Sequence, residues 1–246
     1  MYDFKESKNR VISILTSPTK IVEKDKIPLS DSDFTYSNGI KTWVSAIFVD
    51  IVGSSRLFQN PDENTARIIR SFCSEIIAIL KENDNYREIG IRGDCVYAIY
   101  TTQFKEDIVS VFENAYRINT FMKMFNILLK KYNYTTISAG IGLGCSQDLI
   151  VKAGHVGSGI NDKIWIGKAV VDACHLADKA NRNDVNAIAM SPMFYGNVID
   201  ILEEANPNYK FWIKEYKATF YSEKFYHCNI IQTDFDKWIE EGGVLE

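Results

Sequence analysis

What this 246-residue sequence lacks narrows its chemistry early. It has no C-x-x-C pair. Its cysteines (Cys73, Cys95, Cys145, Cys174, Cys228) are scattered and odd in number, which argues against a zinc site and against a disulfide framework. No run approaches the roughly 18 apolar residues that cross a bilayer. The N-terminal MYDFKESKNRVISILTSPTK holds no apolar stretch of signal-peptide length, so a soluble, cytoplasmic protein is expected. Net charge is small: 28 Lys and Arg against 32 Asp and Glu give −4, which disfavours nonspecific nucleic-acid binding. No G-x-x-x-x-G-K-[ST] occurs, so a bound triphosphate would not sit in a P-loop. Repeats and low-complexity blocks are missing as well. The composition that remains, 46% apolar and 24% charged, excludes collagen, coiled coil and wholesale disorder. A chain of this length can fold without a metal or disulfide staple.

Residues 1–40 read as a weakly structured N-terminal extension, with one apolar-periodic piece from Val11 to Leu15. Residues 41–232 form the main domain, and 233–246 a terminal helix and tail. TWVSAIFVDIV is β-branched and aromatic, which suits a buried strand. TARIIRSFCSEIIAILKEN spaces its apolar residues as an amphipathic helix. YREIGIRGDCVYAIYTT is two strand-like runs around Gly93-Asp94, a hairpin signal. Residues 104–131 return to helical spacing. TTISAGIGLG reads as a strand with DLIVKAG as its hairpin partner, and IWIG as a loop leading into a helix at about Lys168. VNAIAMS is a strand, and Asn208 to Ile231 suggests paired strands. The order βαββαβ predicts an α+β, ferredoxin-like domain: an antiparallel sheet with helices on one face and a C-terminal strand extension.

Asp50 ends the first strand and Asp94 sits in the hairpin turn. In a βαββαβ sheet the first strand lies beside that hairpin, so the two carboxylates meet at one edge. Paired carboxylates suit Mg²⁺ or Mn²⁺, which prefer oxygen ligands and keep substrate phosphates in their shell. Either aspartate alone would more simply cap a loop. Ile51-Val52-Gly53-Ser54-Ser55, immediately after Asp50, offers successive backbone N–H groups and two hydroxyls to a triphosphate.

FVDIVGSS (48–55) resembles the F-x-D-I-x-G-F-T segment of class III nucleotidyl cyclases. GDCVYAIY (93–100), SAGIGLGCSQDLIVKAGHVGS (138–158) and IGKAVVDACHLA (166–177) resemble three further segments of that family, in the family's order. The resemblance implies a phosphorus–oxygen lyase that turns a nucleoside triphosphate into a 3′,5′-cyclic monophosphate and pyrophosphate. It implies two Mg²⁺ or Mn²⁺ ions per site on Asp50, Asp94 and the Ile51 carbonyl, with Val52, Gly53, Ser54 and Ser55 on the phosphates. It also implies a homodimer with its sites at the interface.

Three departures bear on the substrate. The family's adenine-reading Lys aligns with Gly90, and its Asp partner aligns with Ile164, with Asp162 out of register. Arg92 shares a strand face with Gly90 and is expected to reach into the space that Gly90 leaves, narrowing the pocket for a single-ring base. The family's transition-state Asn and Arg align with Val171 and His175; Asp172, Lys168, Lys179, Lys214 and Lys217 remain open as replacements. His155 reads as structural or dimer-contacting. This pattern resembles the bacterial pyrimidine cyclases of antiphage (Pycsar-type) defence. That resemblance implies a UTP or CTP substrate, a cUMP or cCMP messenger read by a separate effector, and no direct contact with membrane or nucleic acid. An adenylyl or guanylyl cyclase with unusual base contacts, or a silent cyclase-like binding domain, are the alternatives.

Overall fold

Asn38–Ile51 is apolar on both faces and forms the central strand, β2, of a nine-stranded sheet. The structure is a computed structural model that describes residues 1–59, 61–217 and 224–245. Ahead of β2 come helix α1 (Phe4–Thr16) and strand β1 (Lys20–Glu23). After it follow α2 (Ser54–Leu57), α3 (Glu63–Lys81), β3 (Tyr86–Arg92), β4 (Cys95–Thr101), α4 (Lys105–Lys131) and β5 (Ala139–Gly154). The remainder is β6 (Asn161–Ile166), α5 (Lys168–Lys179), β7 (Ile188–Met190), α6 (Pro192–Ala205), α7 (Tyr209–Trp212), β8 (Lys214–Lys217), β9 (Lys224–Cys228) and α8 (Thr233–Glu240).

The sheet runs β3-β4-β2-β5-β7-β9-β8, with β1 beside β2 and β6 beside β5. The βαββαβ unit spans β2 to β5 with the expected ferredoxin-like neighbours. Its two helices, α3 and α4, share one face. They pack Phe72, Ile76, Phe112, Ile118 and Phe121 onto Ile47, Val49 and Ile51 of β2. α5, which follows that unit, lies on the opposite face, against Val44, Ala46 and Phe48. Alternate residues of β2 thus face two different cores, which is why its apolar run is continuous. The sheet is mixed: β1–β2 and β5–β7 are parallel, the other pairs antiparallel.

Three elements differ from the sequence expectation. Residues 139–154 are one 16-residue strand, not a hairpin, and the partner of its second half is β6, expected as a loop. α6 has the Ser-Pro start of a helix, Ser191 Oγ accepting from the Phe194 N–H at 3.3 Å. The N-terminal extension is unevenly built. α1 buries no residue, whereas Ile27 and Phe34 are buried in the core beneath α5. β8 and β9 pair, antiparallel, within the stretch expected as strands, but that stretch opens on the helical turn α7 instead; residues 218–223 lie outside the described residues.

β5 and α5 approach more closely than side chains allow. A Cβ on Gly140, Gly142 or Gly144 would sit 2.3, 2.0 or 2.3 Å from the carbonyl oxygens of Ala177, Ala173 and Ala169. Glycines at every second strand position therefore meet alanines at every fourth helix position. The N-terminus of α5 is held by β5 as well: Ser146 Oγ accepts from the Lys168 and Ala169 N–H groups, at 3.0 and 2.8 Å, and donates to Asp148.

Candidate active site

Asp50 lies one residue before the end of β2, opposite Cys95 in the β2–β4 register, and Asp94 is the next residue in the hairpin turn. Both carboxylates therefore stand at the same end of adjacent strands. Gly93 takes φ +64, which lets the turn close in two residues. Burial pushes the Asp50 carboxyl above its ordinary range, and the charge of Asp94 pushes the same way; Arg182 opposes both. Arg182 donates to Asp50 Oδ2 at 2.7 Å. It also donates to the Ala177 and Ala180 carbonyls at 2.9 and 3.1 Å, so its head is fixed at the end of α5. Asn181 and Asn183, both left-handed, flank it and turn the chain back toward the sheet.

Arg182 was not foreseen from the sequence. Its only local signal is the Asn-Arg-Asn triplet after a helix, since its partner is 132 residues away.

The donors at this edge are hard oxygens, which fits Mg²⁺ or Mn²⁺. Burial pushes the neighbouring Cys95 thiol up to about 12. Among the described residues no group of three or more His, Cys, Asp and Glu could hold a metal. With the two carboxylates and the Ile51 carbonyl as candidate donors, half of an octahedral shell is left for substrate oxygens or water. The Ile51 side chain itself is core, packed beneath α3 and α4.

In the loop that follows, the Val52 N–H donates to the Ser138 carbonyl at 2.8 Å and is spent there. Gly53 takes φ +68 and precedes α2, so Ser54 and Ser55 open a helical turn whose first N–H groups have no intrahelical acceptor. The loop's usable donors are thus Gly53, Ser54 and Ser55.

A second feature is a cleft of about 500 Å³ between β3, β4, β6 and α5. Its walls include Phe48, Glu88, Arg92, Tyr97 and Trp165, and from α5 Val171, Cys174 and His175. Ile164, aligned with one of the purine-reading positions, and Val171 and His175, aligned with the transition-state pair, thus border one cavity. Gly90 is opposite Tyr97 in the β3–β4 register. A Cβ at Gly90 would lie 2.6 Å from the Tyr97 ring and hydroxyl. The space above Gly90 is therefore filled by Tyr97, not by Arg92 as expected. Tyr97 stacks on Phe48 with centroids 5.1 Å apart and donates to Glu88 Oε1 at 2.7 Å. Burial, followed by the Glu88 bond, pushes its hydroxyl up to about 12, so it stays a donor. Arg92 lies beside that hydroxyl, at the rim. Counting back three residues on each side of the Gly93-Asp94 turn would have paired Gly90 with Tyr97.

His175 stands on the ridge between this cleft and a smaller one lined by Lys168, Asp172, Lys179 and Lys224. Lys168 and Lys179 thus share a basic cleft beside His175, while Lys214 belongs to a different depression, next to Trp212. The Lys217 side chain lies outside the described residues. His155 is exposed in the β5–β6 turn, its Nδ1 against the Val156 carbonyl at 3.0 Å, away from both clefts.

No family model matches the chain. It is 42% identical over 242 residues to a uridylate cyclase of Treponema porcinum, covering 98% of this chain and 82% of that protein. It is 30% identical over 253 residues to a uridylate cyclase of Gulbenkiania mobilis, covering 98% and 96%. Among solved structures, the adenylyl cyclase CyaB from P. aeruginosa superimposes with a TM-score of 0.61 at 17% identity, covering 77% of this chain and 95% of that one.

Proposed function

The chain belongs to the uridylate cyclases, a pyrimidine branch of the class III nucleotide cyclases, and on that footing we propose that it cyclises UTP. The products are 3′,5′-cUMP and pyrophosphate, made at the interface of a homodimer. The observation that carries this reading is the pair Asp50 and Asp94, set on adjacent strand ends beside the Gly53–Ser55 turn, with the cleft nearby.

Asp50, Asp94 and the Ile51 carbonyl would hold two Mg²⁺ or Mn²⁺ ions. Such ions, when bound, acidify the ribose 3′-hydroxyl and offset the charge of the triphosphate. The Gly53, Ser54 and Ser55 N–H groups bind the β- and γ-phosphates as an anion nest. Arg182 keeps the Asp50 carboxylate oriented and partly neutralised beside Asp94. The cleft receives the base, and Tyr97, locked by Phe48 and Glu88, makes it too shallow over Gly90 for a second ring. His175 and Lys168, on the exposed side of α5, face the region where charge develops as pyrophosphate leaves. A two-fold axis gives each site its aspartates from one protomer and its base cleft from the other.

Incubation with each of the four nucleoside triphosphates and Mn²⁺, read by liquid chromatography and mass spectrometry, should give cUMP as the dominant product. Cyclisation of ATP with UTP left intact would overturn the assignment. The messenger role in antiviral defence is supported by the resemblance to the Pycsar-type enzymes. It predicts that cUMP rises in cells after phage infection; an unchanged level removes it.

A further inference from the structure

Arg182 is a cation fixed against a candidate metal ligand. Its Nη1 donates to the Ala177 and Ala180 carbonyls at 2.9 and 3.1 Å, and its Nη2 donates to Asp50 Oδ2 at 2.7 Å. Those carbonyls lie at the C-terminal end of α5, where the helix dipole favours positive charge. The backbone around it is tied down as well. The Arg182 carbonyl accepts the Val185 N–H at 3.1 Å, and Asn181 Nδ2 donates to the Ala139 carbonyl at 3.0 Å. The other acid in reach, Asp178, is 3.9 Å away and 84% exposed, so Asp50 is the partner that the guanidinium holds. The two oxygens of Asp50 are thereby made unequal. Oδ2 is taken, whereas Oδ1 has no donor among the described residues and is not closed to solvent.

We propose that Arg182 is a positioning residue that leaves Asp50 a one-oxygen metal ligand and so sets the metal edge for Mg²⁺ or Mn²⁺ against Ca²⁺. The inference rests on the reading of Asp50 and Asp94 as metal ligands and deepens it. Ca²⁺ takes about six to eight oxygens at about 2.3–2.6 Å and often binds a carboxylate through both of its oxygens. Mg²⁺ and Mn²⁺ prefer about six oxygens in a tighter octahedral shell, where the two oxygens of one carboxylate sit too close together to fill two positions well. Blocking one oxygen therefore removes a ligand from Ca²⁺ and little from the smaller ions. The block is firm, because a charge-assisted bond from a guanidinium is among the stronger hydrogen bonds. The planar head also makes all three of its bonds at once, so it cannot turn away from Asp50 without giving up the helix carbonyls. A permanent cation at this point repels any divalent ion in addition. The edge is thus weakened for every such ion, and for Ca²⁺ most.

The test uses Mn²⁺ and Ca²⁺ alone, titrated into the full-length chain without nucleotide. Bound Mn²⁺ is read from the loss of the free-ion electron paramagnetic resonance signal, and Ca²⁺ affinity from its displacement of Mn²⁺. Arg182→Ala frees both Asp50 oxygens and removes the charge; Arg182→Lys keeps the charge and a donor. In Arg182→Ala both ions should bind more tightly, and the preference for Mn²⁺ over Ca²⁺ should fall about tenfold. In Arg182→Lys that preference should stay within about threefold of wild type. A role confined to capping α5 would lower the melting temperature and leave the preference unchanged. Should Arg182→Ala fail to fold, Arg182→Gln removes the charge while keeping an amide for the helix carbonyls, and the same fall is expected. An unchanged preference in the neutral variant, or an equal fall in Arg182→Lys, overturns the proposal. Asp50→Asn and Asp94→Asn separate the two levels. Mn²⁺ binding that disappears in both while the Arg182 variants keep the wild-type preference sinks only the role of Arg182; binding that survives in both lies elsewhere on the protein and sinks the reading beneath it.

Discussion

Gly90→Ala isolates the packing that shapes the base cleft. The new methyl would lie 2.6 Å from the Tyr97 ring, so the ring must leave its position. Two contacts hold it there: the stack on Phe48 and the 2.7 Å bond to Glu88. Losing the stack costs about 0.5–1.5 kcal/mol. Losing a hydrogen bond to a carboxylate costs about 1.5–3 kcal/mol. Replacing a strand glycine by alanine returns about 0.5–1 kcal/mol through backbone entropy. Steric displacement wins, and the net loss of stability is about 1–4 kcal/mol. Urea unfolding of wild type, Gly90→Ala, Tyr97→Ala and the double variant reads this directly. Once Tyr97 is truncated its clash with the methyl is gone, so Gly90→Ala should become neutral or stabilising in that background. The same variant should raise the KM for UTP more than it lowers kcat, since the cleft and not the metal edge is disturbed. An equal cost of Gly90→Ala with and without the Tyr97 ring would refute the reasoning.

Asp50→Asn or Asp94→Asn should abolish cUMP formation while leaving the melting curve near wild type, because the amide keeps the shape and loses only the charge; residual turnover in both would remove the metal edge. Gly142→Ala places a methyl 2.0 Å from the Ala173 carbonyl, where neither backbone can yield, and should cost about 3 kcal/mol or more in urea midpoint analysis. His227 is held below the ordinary histidine range by burial and by nearby Lys214, and its neutral Nδ1 accepts the Asn186 N–H at 2.9 Å. The unfolded chain therefore takes up a proton first as pH falls through about 6.5, so stability is full above that pH and declines below it. His227→Gln should flatten the urea midpoints between about pH 7.5 and 5; an unchanged slope excludes His227 as their source. Sedimentation of the active enzyme should give twice the 28.1 kDa chain mass, and a fully active monomer would contradict a shared site.

The elements that could be read from the sequence are those whose cause is local. Asp62 capping α3 through the Thr65 N–H at 2.7 Å, and Gly93 closing the β3–β4 turn, are decided within a few residues. The strand ends carrying Asp50 and Asp94 follow from those elements and a known strand order. What was missed depends on partners distant in sequence. β6 reads as a loop because its burial is alternate and weak; pairing with the far half of β5 makes it a strand. Arg182 gains its meaning only when α5 is laid across the sheet and brought to Asp50. Tyr97 was hidden for a different reason: an absent Lys at position 90 drew attention to its neighbours on the same strand, while the space was filled from across the hairpin.

The glycines of β5 connect fold to chemistry. They read as a strand with little to pack, yet each missing Cβ admits an α5 carbonyl, which draws the helix down onto the sheet. At that distance the alanine stripe of α5 faces inward, and Val171, Cys174 and His175 border the cleft. The same descent puts the helix's C-terminal turn level with the end of β2, where the Ala177 and Ala180 carbonyls hold Arg182 against Asp50. One close contact thus sets both the cleft along α5 and the guanidinium at its end. A larger residue at Gly140, Gly142 or Gly144 would lift all of them together. Substitutions there should therefore lower UTP affinity and turnover in concert, unlike changes at Gly90, which act on the base alone.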